Sequence, residues 1–354
     1  MCSGKHPEQL YTVAALATLA AATGSFAQSS VTLYGVADLG YNTVKLSDGT
    51  DTVKQSGLNS IASGSRFGFK GTEDLGGGLK ANFLMEYSVQ PDEATTSMAN
   101  RQSYVGLEGD FGSVNLGRQY TLHHGVQGGA DLIGNVTAAG WIGGMDSRVR
   151  QSNAITYKTP TFNGFSASAQ VGFGESVQLN GSAKENEQTS LGLNYANGPL
   201  ALAYAYEKVK NTSVLARDLA GTAFDVAAIA GADSWKANAL SASYDFGVAK
   251  VAYLNNSTKA DDTTFNAKFA ANNFAVSVPF GSFTALATVG NGKIKVDGVD
   301  DTKLSAYQLG LTYALSKRTT AYSYIGETKF KDVSVTPNET IKYSTTAVGV
   351  RHTF

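Results

Sequence analysis

The stretch VTLYGVADLGY at residues 31–41 puts Val31, Leu33, Ala37, Leu39 and Tyr41 on one parity and Thr32, Tyr34, Asp38 and Gly40 on the other. A period of two is that of a strand with one apolar and one polar face. The same dyad returns in Phe67 and Phe69 against Arg66 and Lys70, and in Ala81, Phe83, Met85 and Tyr87 against Lys80, Asn82 and Glu86. It returns again at the end, in Val348, Val350, His352 and Phe354 against Arg351 and Thr353. A soluble sandwich alternates in the same way, so the choice of fold turns on the connections between strands.

Those connections are alternately short and long. Short ones lie at Glu73 to Gly78, Asp110 to Gly112, Asn163-Gly164, Asn197-Gly198, Asp245 to Gly247, Phe280 to Ser282 and Ser316-Lys317. Longer polar ones centre near residues 50, 95, 135, 180, 220, 260, 300 and 335. One rim of tight turns and one of longer loops is the pattern of a transmembrane antiparallel β-barrel, with the long loops facing outward. Eight long connections separated by seven short ones give about 16 strands, the chain ends meeting to close the ring. Each segment offers about 10 residues, enough for a tilted strand to cross the hydrocarbon layer. A Lys or Arg on the lipid face costs roughly 2–4 kcal/mol at the midplane. Most strand cations are therefore expected on the polar, lumen-facing parity.

Composition agrees with an all-β chain: 354 residues carry 39 Gly and 17 each of Tyr and Phe, but 6 Pro. With 28 basic against 29 acidic residues there is no electrostatic case for nucleic acid. Lys5 and His6, an apolar run from Val13 to Ala22, and Ser25-Phe26-Ala27 read as a signal peptide over residues 1–27, leaving 28–354 as one barrel domain. Cys2, the only cysteine, falls in that leader, so no disulfide or thiolate metal site is expected. After residue 27 no apolar run is long enough for a membrane helix. Catalysis needs a base beside a nucleophile, and the only candidate, His123-His124 near Asp131, is a pair that alternation on a strand would point apart. No enzyme activity, cofactor or metal is expected. Asp261-Asp262 and the acids between Asp297 and Asp301 read as exposed loop charges.

Four pieces, SSVTLYGVADLG at 29–40, SRFGFKGTEDLGGGLKA at 65–81, NRQSYVGLEGDFGSVNLGRQYT at 100–121 and VGVRHTF at 348–354, resemble the general diffusion porins of β-proteobacteria, in that family's order. The resemblance implies a trimeric, 16-stranded barrel whose third long loop folds inward and narrows a water-filled pore. It implies outer-membrane lipid and lipopolysaccharide around the barrel, and small hydrophilic solutes and ions through it. By position, Arg66, Arg101 and Arg150 match the family's constriction arginines, with Arg148 competing for the third place. The inward loop is expected over about Tyr120 to Ser147, with Asp131 and Asp146 as its carboxylates. A PEFG-like motif is missing there, so the two acids are candidates for the far side of the throat or plain loop residues.

Arg118 shares parity with Val114 and Leu116, on the outward face. Either it reaches a neighbouring subunit, where Asp92 and Glu93 of the second long loop are the expected partners, or a bulge flips its parity. Terminal Phe354 matches the aromatic signature read by the barrel-assembly machinery and also suits an interfacial aromatic girdle. The function expected is passive diffusion with mild anion preference. The main alternative is a secreted or surface-exposed β-rich adhesin without a pore.

Overall fold

The computed structural model describes residues 30–93, 100–133, 149–174, 187–214, 229–261, 266–298, 301–331 and 340–354, with the backbone alone at 211–214 and 229–233. The expected leader at 1–27 lies outside these residues. The chain runs β1 (Ser30–Ser47), β2 (Thr52–Asn59), β3 (Arg66–Gly76), β4 (Leu79–Ser88), β5 (Asn100–Gly109), β6 (Gly112–Tyr120), α1 (Leu122–Ala130), β7 (Arg150–Lys158), β8 (Phe165–Gly172) and β9 (Glu187–Asn197). It continues as β10 (Leu200–Val214), β11 (Ile229–Asp245), β12 (Lys250–Asp261), β13 (Asn266–Phe280), β14 (Phe283–Val296), β15 (Thr302–Ala314), β16 (Thr319–Lys331) and β17 (Thr340–Thr353).

All the pairings are antiparallel, and β17 returns to β1 from Val36↔Thr353 to Ser47↔Lys342, so the sheet is closed. On its other side β1 meets β2 with residues 40–47 and β3 with residues 30–36. β2 and β3 are therefore two halves of one interrupted wall strand, and the barrel has 16 strand positions, as the loop count requires. The seam is finished by Phe354, which exchanges two 3.1 Å backbone hydrogen bonds with Gly35. A side chain at Gly35 would meet the Phe354 ring and come within 2.7 Å of the Arg66 carbonyl, so only glycine fits beneath that ring.

The outward parity is apolar in the middle of the barrel, as in Val105, Leu193, Phe274 and Leu309. At the short-turn rim it ends in packed rings, Phe165 on Tyr195, Tyr244 on Phe246, and Phe280 on Phe283 on Tyr313. That is the interfacial girdle of a membrane barrel. Two expectations change at the other rim. The strands are longer than ten residues, 18 in β1 and 17 in β11, and the connections near 50, 260 and 300 shrink to 48–51, 262–265 and 297–301. The hairpins continue past the hydrocarbon layer as ribbon instead of opening into loops. In that extension the strand lysines of β10–β17, among them Lys236, Lys259, Lys303 and Lys342, share the outward parity of Leu240, Tyr253, Leu309 and Val348. The lumen-facing expectation fails for them because the energetic bar to a lipid-facing cation falls to about 0–1 kcal/mol near the interface.

Replacing Gly35 with Leu is expected to displace Phe354 from the seam at a cost of about 1–3 kcal/mol, the usual range for overpacking. The check is the temperature at which the folded barrel loses its compact gel mobility, which should fall relative to the parent chain.

Candidate functional site

Residues 37–39 of β1 lie between its two partners, β2 and β3, and their polar groups are met from within the barrel. The six residues Ser60 to Ser65 leave the wall and turn inward. Ser65 Oγ accepts from the Asp38 amide at 2.9 Å, and the Ser60 and Ser65 hydroxyls donate to the Asp38 carbonyl. The Asp38 carboxylate, fully buried, accepts from the Ser63 amide and from the Tyr322 hydroxyl at 2.6 Å. This lets Ile61 and Ala62 pack with Tyr322, Tyr324, Leu286 and Ala347 inside the barrel. The sequence reading passed over this insertion; the run SIASGS, with three hydroxyls and only one large apolar residue, is its only signal.

The third long loop also enters the lumen. Thr121 caps α1, its side chain accepting from the His124 amide at 3.1 Å. Val126 and Ala130 of α1 cluster with Ala205, Ala239 and Ala252 of β10–β12. Alanines on three adjacent strands leave the depth a helix needs. Beyond the helix, Ile133 joins the Ile61, Tyr322 and Tyr324 cluster, so the described part of the loop reaches from the β10–β12 wall towards the β14–β17 wall. Asp131 follows the helix, and its carboxylate accepts from the Ile133 amide at 3.1 Å. Asp146 lies outside the described residues. His123 is buried beside Asn256 and Trp235, whereas His124 lies against Tyr120; the two imidazoles part, but as neighbours on α1 and not by the strand alternation expected for them.

On the remaining arc, β3–β7, the three expected arginines gather. Arg101 Nε donates to Glu86 Oε1 at 2.6 Å, Arg66 Nε lies 3.4 Å from Glu86 Oε2, and the Tyr34 hydroxyl donates to the same carboxylate at 3.1 Å. Arg101 also donates to the Tyr120 hydroxyl at 3.0 Å, and the Arg150 guanidinium sits 5.0 Å from the Tyr120 ring centre. Arg66 is tied to the inward turn through Ser63 Oγ at 3.0 Å and the Gly64 carbonyl at 2.8 Å. A carboxylate only 7% exposed is held there by two guanidiniums and a phenol, the pairing that makes its desolvation tolerable. Glu86, Tyr34 and Tyr120 were not anticipated as site residues, although Glu86 stands on the polar parity of its strand.

Arg150 shares even parity with Ser152 and Thr156, on the expected lumen face, but the run that joins them is broken. Asn153 has φ of 49° and the β6–β7 register shifts between Gly117 and Gln119, so Gln151 is buried while Ser152 turns towards Arg118. Arg118 keeps its register with β5, opposite Ser103 and next to the Val105↔Leu116 pair, and so lies on the outer face. There it donates to Ser152 Oγ at 2.7 Å and to the Asn100 carbonyl at 3.2 Å, and among the described residues it meets no carboxylate. Asp92 and Glu93 stand after β4, where Gln90 donates to Glu93 at 3.3 Å. On the short-turn side of the arginines, a polar recess of about 420 Å³ contains Lys70, Asn82, Glu108 and Asn115. Lys70 lies 5.3 Å from the Tyr34 ring centre, so the positive lining continues along β3. Arginines and an inward loop within an apolar shell make a charged passage.

Comparison with known proteins agrees. Residues 12–333 match the family described as "Gram-negative porin". Outer membrane porin protein 32 of Delftia acidovorans is 33% identical, over 90% of this chain and 90% of that protein. A porin of Bordetella pertussis is 30% identical, over 97% and 99%. Among solved structures, an anion-selective porin from Comamonas acidovorans superposes with a TM-score of 0.77 at 28% identity, covering 92% of this chain and all of that one.

If the alanine floor sets the seat of α1, Ala239→Phe must lift the helix into the lumen. Single-channel conductance is expected to drop below that of the parent chain; an unchanged conductance would mean that the floor does not position the loop.

Proposed function

The chain belongs to the Gram-negative porin family, and from that premise we propose that its throat prefers anions and that it works as a homotrimer. The protein is a passive diffusion channel of the outer membrane, which it crosses as a multi-pass barrel. A secreted adhesin is not favoured, since the wall is closed and its middle turns apolar side chains such as Val105, Leu193, Phe274 and Leu309 outward. The relatives are channels rather than enzymes.

The observation that carries the selectivity is the charge count on the β3–β7 wall of the throat: Arg66, Arg101 and Arg150 against Glu86, three positive charges less one negative, a net of +2 on that wall. In a low-dielectric ring such an excess lowers the barrier for anions and raises it for cations. The anion-selective description of the Comamonas porin supports the same reading. Asp131, at the β14–β17 end of the loop, and Asp146 are its proposed acidic counterparts. For the trimer, the support is Arg118. A guanidinium among Val105 and Leu116 faces lipid in a lone barrel, at about 2–4 kcal/mol near the midplane, unless a neighbouring barrel covers it. We assign Asp92 and Glu93 of the adjacent subunit as its partners. Phe354, whose ring is held at the seam, is also the proposed mark for the barrel-assembly machinery.

In a salt gradient across a planar bilayer the reversal potential is expected to have the anion sign. Arg66→Ala with Arg101→Ala should move it towards cations and Glu86→Gln further towards anions; a parent channel of cation sign refutes the assignment. For the interface, Arg118→Ala should lower the temperature at which trimers dissociate in detergent, and Arg118→Lys should lower it less. Equal stability of all three chains would remove the intersubunit bridge.

A further inference from the structure

Between the arginines and the short turns, the lumen carries a recess that charge selection alone does not call for. Strands β1 and β3–β6 line it, and it holds about 420 Å³. The lumen parity of β3 runs from Arg66 to Lys70, four residues and about 13 Å nearer the short turns. Directly opposite Lys70 on β4 stands Leu84, and opposite Leu84 on β5 stands Tyr104. The interior of a channel barrel is otherwise polar. Here a half-buried leucine makes a floor between an ammonium and a phenol ring.

The next row towards the short turns is Asn82, Gly106 and Asn115, each opposite the next. Gly106 keeps the centre of this row open. A side chain there would run into the Asn115 amide, which leans over the glycine from one side while Asn82 flanks it from the other. One row further on, Glu108 stands opposite Ser113. Among the described residues, Lys70, Asn82, Tyr104 and Glu108 make no hydrogen bond or ion pair through their side chains, and the contact of Lys70 is with the Tyr34 ring, 5.3 Å from its centre. From throat to short-turn rim the recess therefore presents a cation, an apolar floor, a pair of amides and a carboxylate.

We propose that this recess is a binding subsite for a monoanionic sugar acid, such as a hexuronate, in passage through the channel. The carboxylate of the solute lies on Lys70 and the apolar face of its ring on Leu84 and Tyr104. Its neighbouring hydroxyls meet the amides of Asn82 and Asn115, and its far hydroxyl donates to Glu108. An amide offers donor and acceptor together, the complement of a pair of hydroxyls. The rows of Lys70 and Glu108 are about 13 Å apart along the strands, and a hydrogen bond of about 2.8 Å at each end leaves roughly 7 Å, the length of one sugar ring. A disaccharide acid overruns that length. A neutral sugar leaves Lys70 idle, and a small carboxylate leaves the amides and Glu108 idle. Transit requires such a site to hold its solute weakly enough to release it, and a recess to one side of the passage does so. The proposal rests on the chain being a channel and not on the sign of its ionic preference.

The test is block of the potassium chloride current through single channels in a planar bilayer, with glucuronate, glucose or acetate added to the bath. Glucuronate is expected to interrupt the current, and glucose and acetate to do so about tenfold more weakly or less. Lys70→Gln should weaken the glucuronate block about tenfold and leave glucose as it was. Asn82→Leu, which keeps every charge, should weaken glucuronate and glucose alike. Compact gel mobility shows that each variant is folded, and Asn82→Ser provides the milder change if the leucine variant is not. A current that glucuronate leaves uninterrupted overturns the proposal. So does acetate blocking as well as glucuronate, which would reduce the site to its charge, and so does a glucuronate block that is equal in the parent and both variants. The reversal potential of the parent in the same membranes reads the throat arginines separately. A cation sign with a glucuronate block that depends on Lys70 removes the anion preference and keeps this site; an anion sign with a block indifferent to Lys70 does the reverse.

Discussion

Hydrocarbon offers nothing to a backbone amide, and this single fact decides the shape of the chain. A sheet in lipid must have no edges, so β17 has to find β1, and the backbone of Phe354 is used in doing so. The one place where a wall strand is interrupted obeys the same demand. Residues 37–39 of β1 lie between the ends of two partners, and the hydroxyls of Ser60 and Ser65 stand in for the missing ladder at Asp38. A serine-rich turn is tolerable there because it faces the lumen, where its remaining polar atoms meet water.

The closed wall also decides what the throat can be. Arginines and a carboxylate of this density are unaffordable in lipid and ordinary in a wet lumen, so strand parity acts as a sorting rule for charge. Glu86 is what allows Arg66 and Arg101 to share one short stretch of wall, and it leaves their sum positive. Tyr120 extends the arrangement to Arg150 by offering its hydroxyl to one guanidinium and its ring face to another.

Much of this was legible in the sequence. The dyad at 31–41 and the alternation of tight and longer connections lead to a closed barrel, and Arg66 sits where its parity puts it. What failed did so where a residue's face depends on something other than counting. Asn153, in a left-handed conformation, breaks the count between Arg150 and Thr156. The lysines of β10–β17 occupy the apolar parity because they lie beyond the apolar layer, and a sequence carries no depth mark. Asp38 read as one more lumen residue, since its role depends on Tyr322, distant along the chain and adjacent only after closure. Glu86 was visible as polar, but nothing local tells a solvated glutamate from one that organises two arginines.

The path of the third loop has a mechanical side. With Val126 and Ala130 seated on one arc and Ile133 packed against another, the segment is a chord across a hoop. A bare hoop under uneven lateral load flattens into an ellipse, whereas a chord fixed at both ends turns that deformation into compression of packed side chains, which barely yield. The piece of chain that enters the passage therefore also braces its wall, and the lumen keeps its shape while the membrane around it is stretched or crowded.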